Sequence, residues 1–209
     1  MAILHRATLT PSKLELLATH VTKFPALLNT HVSEYSLLGA YRFDDPAGKV
    51  GIETHLVATS TGSVIHVPLT YREAPLDGAD RWLIATVEHS FLGTRWIYDA
   101  CGDPVYVQEL IRTILTGGSN VEQFLETDDG PVLRPSTATA VGSGVAGTSV
   151  PEVDSVRADF DGNNTVINTA GIEIVVRHIL TDVGSAIGPS LTGTWPGSDT
   201  PTVLAHIRQ

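Results

Sequence analysis

Two carboxylate–histidine groupings, Glu53 with His55 and Glu88 with His89, are the side chains of this chain best suited to acid–base work, and Arg95 and Asp99 follow the second closely. His55 and His66 fall on neighbouring alternating stretches and are placed to face each other, with Glu53 nearby. The eight histidines (5, 20, 31, 55, 66, 89, 178 and 206) show neither H-x-x-x-H nor H-E-x-x-H spacing, so no metal site is expected from them. The single cysteine, Cys101, excludes an internal disulfide and a cysteine-based metal cluster. It precedes a helix N-terminus, which favours a thiolate, but a small residue in a tight turn explains it as well. No G-x-S-x-G elbow is present. Trp195, with Trp96 and Tyr98, is either an aromatic platform for a sugar ring or ordinary packing.

Two further patterns lose their chemistry in context. Gly142, Gly144 and Gly147 match G-x-G-x-x-G, but no buried strand precedes them and Pro151 follows where a helix should open. Asp159-Phe160-Asp161-Gly162 resembles a metal-binding kinase loop, yet Asp161-Gly162 is also a strong two-residue hairpin signal, and no catalytic loop lies upstream.

The elements that must position these groups are clearest around the second grouping. Arg95 to Tyr98 reads as a strand, and Asp103-Pro104 caps and opens a helix. Val107, Leu110, Ile111, Ile114 and Leu115 form one apolar face of it, and Gly117-Gly118 stops it. Upstream, Thr10-Pro11 opens a first helix with Leu14, Leu17, Ala18 and Val21 inward and Pro25 near its end. Residues 37–43, 50–58 and 63–72 alternate and are joined by short turns, so they form an antiparallel meander with that helix on one face. Pro68 removes a ladder donor, which places the third strand at an edge or at a bulge. Residues 82–87 add another strand, and 121–126 a short helical turn.

From 130 to 151 the stretch GPVLRPSTATAVGSGVAGTSVP reads as a linker or loop, dividing residues 1–129 from a β-rich part, 152–209. There 153–160, 165–168, 172–180 and 202–207 are strand-like, and 184–197 reads as a loop. The chain of 209 residues carries 13 Lys and Arg against 23 Asp and Glu, a net charge of −10 that argues against nucleic acid or an anionic membrane surface as partner. It shows no apolar run long enough to span a bilayer and no signal-peptide pattern, so a cytoplasmic protein is expected.

HSFLGTRWIYDACGDPVYVQELI, with VIHVPLTYRE upstream, resembles the N-terminal cap domain of maltokinase-type sugar kinases. ATLTPSKLELLATHV and LLGAYRFDDPAGKVGIETHLV are similar to stand-alone relatives of that cap, and THVTKFPALL replaces the tryptophan-rich cluster of the kinase cap. The resemblance implies an α+β cap, an antiparallel sheet with flanking helices, followed by a β-rich part resembling a kinase N-lobe. It places Asn163, Asn164 and Thr165 at a phosphate-facing turn and Arg177 where the kinases carry the ATP-binding lysine. The lobe bearing the catalytic base and magnesium ligands has no counterpart within these residues, so phosphoryl transfer by this chain alone is not expected.

The resulting expectation is a non-catalytic cap-like module associated with α-glucan and trehalose metabolism. It would need no cofactor and would bind a partner protein, such as a kinase-like or glucan-metabolic enzyme, or a carbohydrate-related ligand. Ligand contacts would come from Glu53, His55, Glu88, His89, Arg95, Asp99 and Trp195, and residual nucleotide contacts from Asn163, Asn164, Thr165 and Arg177. The alternative is an enzyme of α-glucan metabolism built on the same carboxylate–histidine groups.

Overall fold

The computed structural model describes residues 2–4, 9–21 and 35–208. Two short strands, β1 (Ala2–Leu4) and β2 (Leu9–Thr10), precede helix α1 (Lys13–Val21). The helix is opened by a reciprocal capping box, in which Ser12 Oγ accepts from the Glu15 amide while Glu15 accepts from the Ser12 amide. That S-x-x-E signal lies two residues beyond the expected Thr10-Pro11 start. It turns Leu16, Leu17, His20 and Val21 inward and leaves Leu14 exposed. Pro25, expected to close this helix, lies outside the described residues.

The expected meander is present as β3 (Tyr35–Asp44), β4 (Gly51–Thr59) and β5 (Val64–Arg72). Asp45 shapes the first turn, its carboxylate accepting from the amides of Ala47, Lys49 and Val50. β6 (Leu83–His89) and β7 (Gly93–Asp99) complete a seven-stranded sheet of order β2-β6-β7-β5-β4-β3, with β14 (Ile179–Leu180) also pairing β5. Pro68 lies on a central strand, not at an edge or bulge. β5 pairs β14 at residues 64–65 and β7 at residues 69–72, and Pro68 falls in the gap between them. The His66 amide points into that gap, donating to His178 O at 2.8 Å. Two residues on, the proline nitrogen faces the same way, so its missing donor interrupts no ladder.

Helix α2 (Pro104–Thr116) forms as its sequence predicts, with Asp103 accepting from the Val105 amide and Gly117 in the left-handed conformation. Asp103 also takes a two-pronged ion pair from Arg72, both bonds 2.7 Å. Tyr106, Val107, Leu110, Ile111 and Ile114 are fully buried. They share a core with Tyr41, Phe43 and Ile52 of the large sheet and with Ile167, Ile174, Leu191 and Leu204 of a second, six-stranded sheet. That sheet runs β10-β15-β16-β13-β12-β11, comprising β10 (Thr139–Gly142), β11 (Arg157–Asp161), β12 (Asn164–Thr169), β13 (Ile172–Arg177), β15 (Ser190–Trp195) and β16 (Ser198–Arg208). α1 packs on the opposite face of the large sheet, over Val57, Ile65, Val67, Leu69 and Ile97. The architecture is therefore dominated by strands, and both large sheets are antiparallel throughout. Among the described residues two α-helices flank the large sheet, one per face, so the helical share implied by an α+β class is small.

Three expectations need correction. Residues 121–126 give β8 (Gln123–Thr127), which pairs with β1 and β9 (Gly130–Arg134) in a three-stranded sheet. A short apolar run carries too little periodicity to separate strand from helical turn. The stretch 184–197 is not wholly loop, because β15 occupies 190–195. The stretch 130–151 supplies two strands and caps α2, so it is not a free connector. The amides of Gly144 and Val145 donate to the carbonyls of Ile114 and Leu115, satisfying groups that the helix end leaves open. A Cβ at Gly142 would overlap the Thr113 carbonyl oxygen, and one at Gly144 the Leu115 carbonyl oxygen. The glycines of the false dinucleotide motif are there for close backbone approach.

Candidate functional site

The register of the large sheet places Arg42, Glu53, Leu69 and Asp99 in one row across β3, β4, β5 and β7, hence on one face. α1 lies on that face and is tied at both ends. Lys13 Nζ meets Glu53 Oε2 at 2.6 Å, and His20 Nε2 donates to Asp99 Oδ2 at 3.1 Å. Seven helical residues rise about 10 Å, the same as two strand spacings, so the helix bridges the two carboxylates with its apolar side between them. Lys13 and His20 are two turns apart and fall on the same side of the helix.

Glu53 is 5% exposed and lies against basic side chains. Arg42 Nη2 lies 3.1 Å from its Oε1, and His55 Nε2 lies 3.3 Å from its Oε2. Burial alone would raise the carboxyl, but Arg42, His55 and Lys13 outweigh it and hold Glu53 well below the usual carboxylate range. Burial and the Glu53 charge push the nearby Tyr71 phenol well up. His55 is 2% exposed, and its Nε2 is too poorly aligned on Glu53 to make a hydrogen bond.

Above this cluster opens a cleft of about 290 Å3. Lys13, Glu53, His55, Gln123, Arg134 and Thr137 give it polar walls, and Leu37, Leu38 and Pro135 give it apolar ones. The Thr137 hydroxyl oxygen accepts from the Ala40 amide at 2.9 Å, which fixes its position. Arg134 is exposed and forms no ion pair with another described residue.

The expected site residues thus separate. Glu53 and His55 meet in the cleft. Asp99 belongs to the far end of α1, where its other oxygen accepts from the Cys101 amide at 3.0 Å. Burial would raise the Asp99 carboxyl, but the hydrogen bond and charge of His20 bring it below its ordinary value. Cys101 is fully buried there, and burial and the Asp99 charge push its thiol well up, opposite to an activated thiolate. Glu88 and His89 are consecutive in β6 and point to opposite faces. Glu88 accepts from Thr94 at 2.8 Å, His89 Nδ1 accepts from the amides of the 90–92 turn, and Arg95 donates to the Thr94 carbonyl. Trp195 is buried in the shared core rather than presented. Asn164 pairs with Arg177 across β12 and β13, with Asn163 beside them in the hairpin turn. Thr165 and Arg177 are engaged internally, Thr165 with His178 Nε2 and Arg177 with Asp182 and the Val203 carbonyl.

Lys13, Arg42, Gln123, Arg134 and Thr137 carry no sequence signal that singles them out. They come from separate elements and loops scattered from α1 to the segment after β9, and no local spacing joins them. Among the described residues, no three His, Cys, Asp or Glu side chains gather closely enough to hold a metal ion. None of the described helices is long and apolar enough to cross a membrane.

The meander, the two described α-helices that flank it and the cleft at one end of α1 make up a strand-dominated unit. Residues 28–103, about a third of the chain, match the family model of the maltokinase N-terminal cap domain, the family that the sequence resembles. No curated protein matches the chain.

Proposed function

We propose that this chain is a non-catalytic, maltokinase-cap-like module of α-glucan and trehalose metabolism that binds a small carbohydrate-related ligand in the cleft over Glu53. The observation that carries the reading is a buried, ionised carboxylate at the base of a cleft sized for one sugar ring. Ligand sites commonly run to roughly 300–1,000 Å3, and this one is at the lower limit. A carboxylate beside Lys, Arg and His offers hydrogen-bond acceptors and donors together, which suits a sugar hydroxyl, and Leu37, Leu38 and Pro135 suit the apolar face of the ring. The same chemistry argues against acid–base catalysis here. Glu53 is held so far below neutral pH that it is a poor proton donor and a weak base, and no second carboxylate lines the cleft among the described residues.

A protein partner is the second reading. Val132 and Leu133 are 55% and 52% exposed on β9, the last strand of its sheet and adjacent in sequence to the cleft residues Arg134 and Pro135. The N-lobe likeness of residues 152–209 belongs to the same proposal. A thermal-shift screen against glucose, maltose, trehalose, glucosamine, their phosphates and Mg-ATP tests the ligand reading. Stabilisation by a sugar, lost in Glu53→Gln, supports it. No shift with any sugar, together with capture of a glucan-metabolic enzyme that Val132→Glu abolishes, replaces it with the partner reading.

A further inference from the structure

We infer that the cleft over Glu53 selects a single sugar ring that carries an anionic group, a hexose monophosphate or a hexuronate. This rests on the ligand reading above and names its chemistry. The charge around the cleft runs against that of the whole chain. Lys13, Arg42 and Arg134 bring three cations to a cleft whose described lining holds one carboxylate, Glu53, in a protein of net charge −10. Glu53 already engages Lys13 and Arg42, and it cannot neutralise both. Arg134 at the rim is left with no carboxylate partner among the described residues. A local positive excess in an acidic protein draws an anion and disfavours a neutral competitor.

The positions assign the parts of the ligand. The guanidinium of Arg134 and the partly exposed ammonium of Lys13, 37% accessible, take the anionic group at the rim. The hydroxyl proton of Thr137, whose oxygen is held by the Ala40 amide, is available to the ligand. Deeper in, Glu53 accepts from ring hydroxyls. The volume limits the occupant to one ring, so a glucan chain would extend out of the cleft.

The test is calorimetric titration of the full chain with glucose, glucose 6-phosphate, glucuronate and inorganic phosphate, repeated with Arg134→Gln. Arg134 is exposed and makes no hydrogen bond or ion pair with a described side chain, so this variant keeps the melting temperature of the parent. The expected result is that glucose 6-phosphate or glucuronate binds at least about tenfold more tightly than glucose, and that Arg134→Gln removes about tenfold of that affinity while lowering the affinity for glucose far less. The preferred anion of the two identifies its source, and its binding weakens as salt is raised. Equal affinity for glucose and the anionic sugars, indifferent to Arg134→Gln, overturns this inference and leaves the ligand reading standing. Inorganic phosphate binding as tightly as glucose 6-phosphate overturns it as well, since the site is then a bare anion site. Binding by none of the four overturns both.

Discussion

Acidification from pH 7 to pH 5 should destabilise this protein by about 2 kcal/mol or more, through the buried histidines that join its two large sheets. His66 Nδ1 lies 2.8 Å from the Arg177 carbonyl, and His178 Nδ1 lies 3.0 Å from the His66 carbonyl, so both rings carry their proton on Nδ1. Their Nε2 atoms accept, His66 from the Tyr41 hydroxyl at 2.9 Å and His178 from Thr165 at 2.7 Å. Both rings are 0% exposed, and in the neutral form each has both ring nitrogens bonded. Burial, and then the neighbouring His178, push His66 down to about 3. Burial lowers His178 as well. A histidine whose folded value lies below its unfolded one, about 6.5, keeps its full contribution above that unfolded value and loses it as pH falls toward the folded value. For His66 the window therefore runs from pH 6.5 down to about 3. At pH 5 the unfolded chain is favoured by roughly 1.5 pH units of proton uptake, about 2 kcal/mol from His66 alone. Asp99 and Glu53, both lowered, act around the carboxylate range and lose their contribution only at more acid pH. Urea unfolding at pH 7.5, 6.0 and 5.0 measures the effect. His66→Gln should be less stable at neutral pH, with a slope against pH shallower by about one proton. A flat profile between pH 7 and 5, or a slope that His66→Gln leaves unchanged, would refute the argument.

Two further expectations concern the scaffold. Gly144→Ala places a Cβ on the Leu115 carbonyl oxygen, where backbone must move, and should cost about 2 kcal/mol or more in chemical unfolding, whereas Gly147→Ala has open space but a positive φ and should cost less. Asp103→Ala removes the α2 cap and leaves Arg72 without its paired carboxylate, and should cost roughly 3–5 kcal/mol by the same assay.

What the sequence makes legible is what local signals decide. α2 follows from Asp103, Pro104, its apolar period and Gly117, all contained in one short continuous stretch. The meander follows from alternation and from turn clusters such as the one at Asp45. The failures have physical causes. Glu88-His89 looks like a functional pair in sequence, but adjacent strand residues face opposite ways. Pro68 reads as an edge residue because sequence does not reveal that β5 changes partners at that point. Gly142 and Gly144 read as linker because their reason for being glycine is the end of α2, an element well upstream of them in the chain. The cleft is half legible: Glu53 and His55 share a strand, while Lys13 is remote from Glu53 in sequence and reaches it only because α1 crosses the sheet. The His66–His178 joint connects β5 to the residue between β13 and β14, in different halves of the chain, and carries no spacing signal at all.

The most direct test of the cleft as the working part of the molecule is an amide chemical-shift titration of the labelled protein with glucose and glucose 6-phosphate. The account predicts perturbations concentrated at residues 37–40, 53–55 and 134–137. Perturbations at the β6–β7 turn or at the hairpin around Trp195, with the cleft residues unmoved, would contradict it.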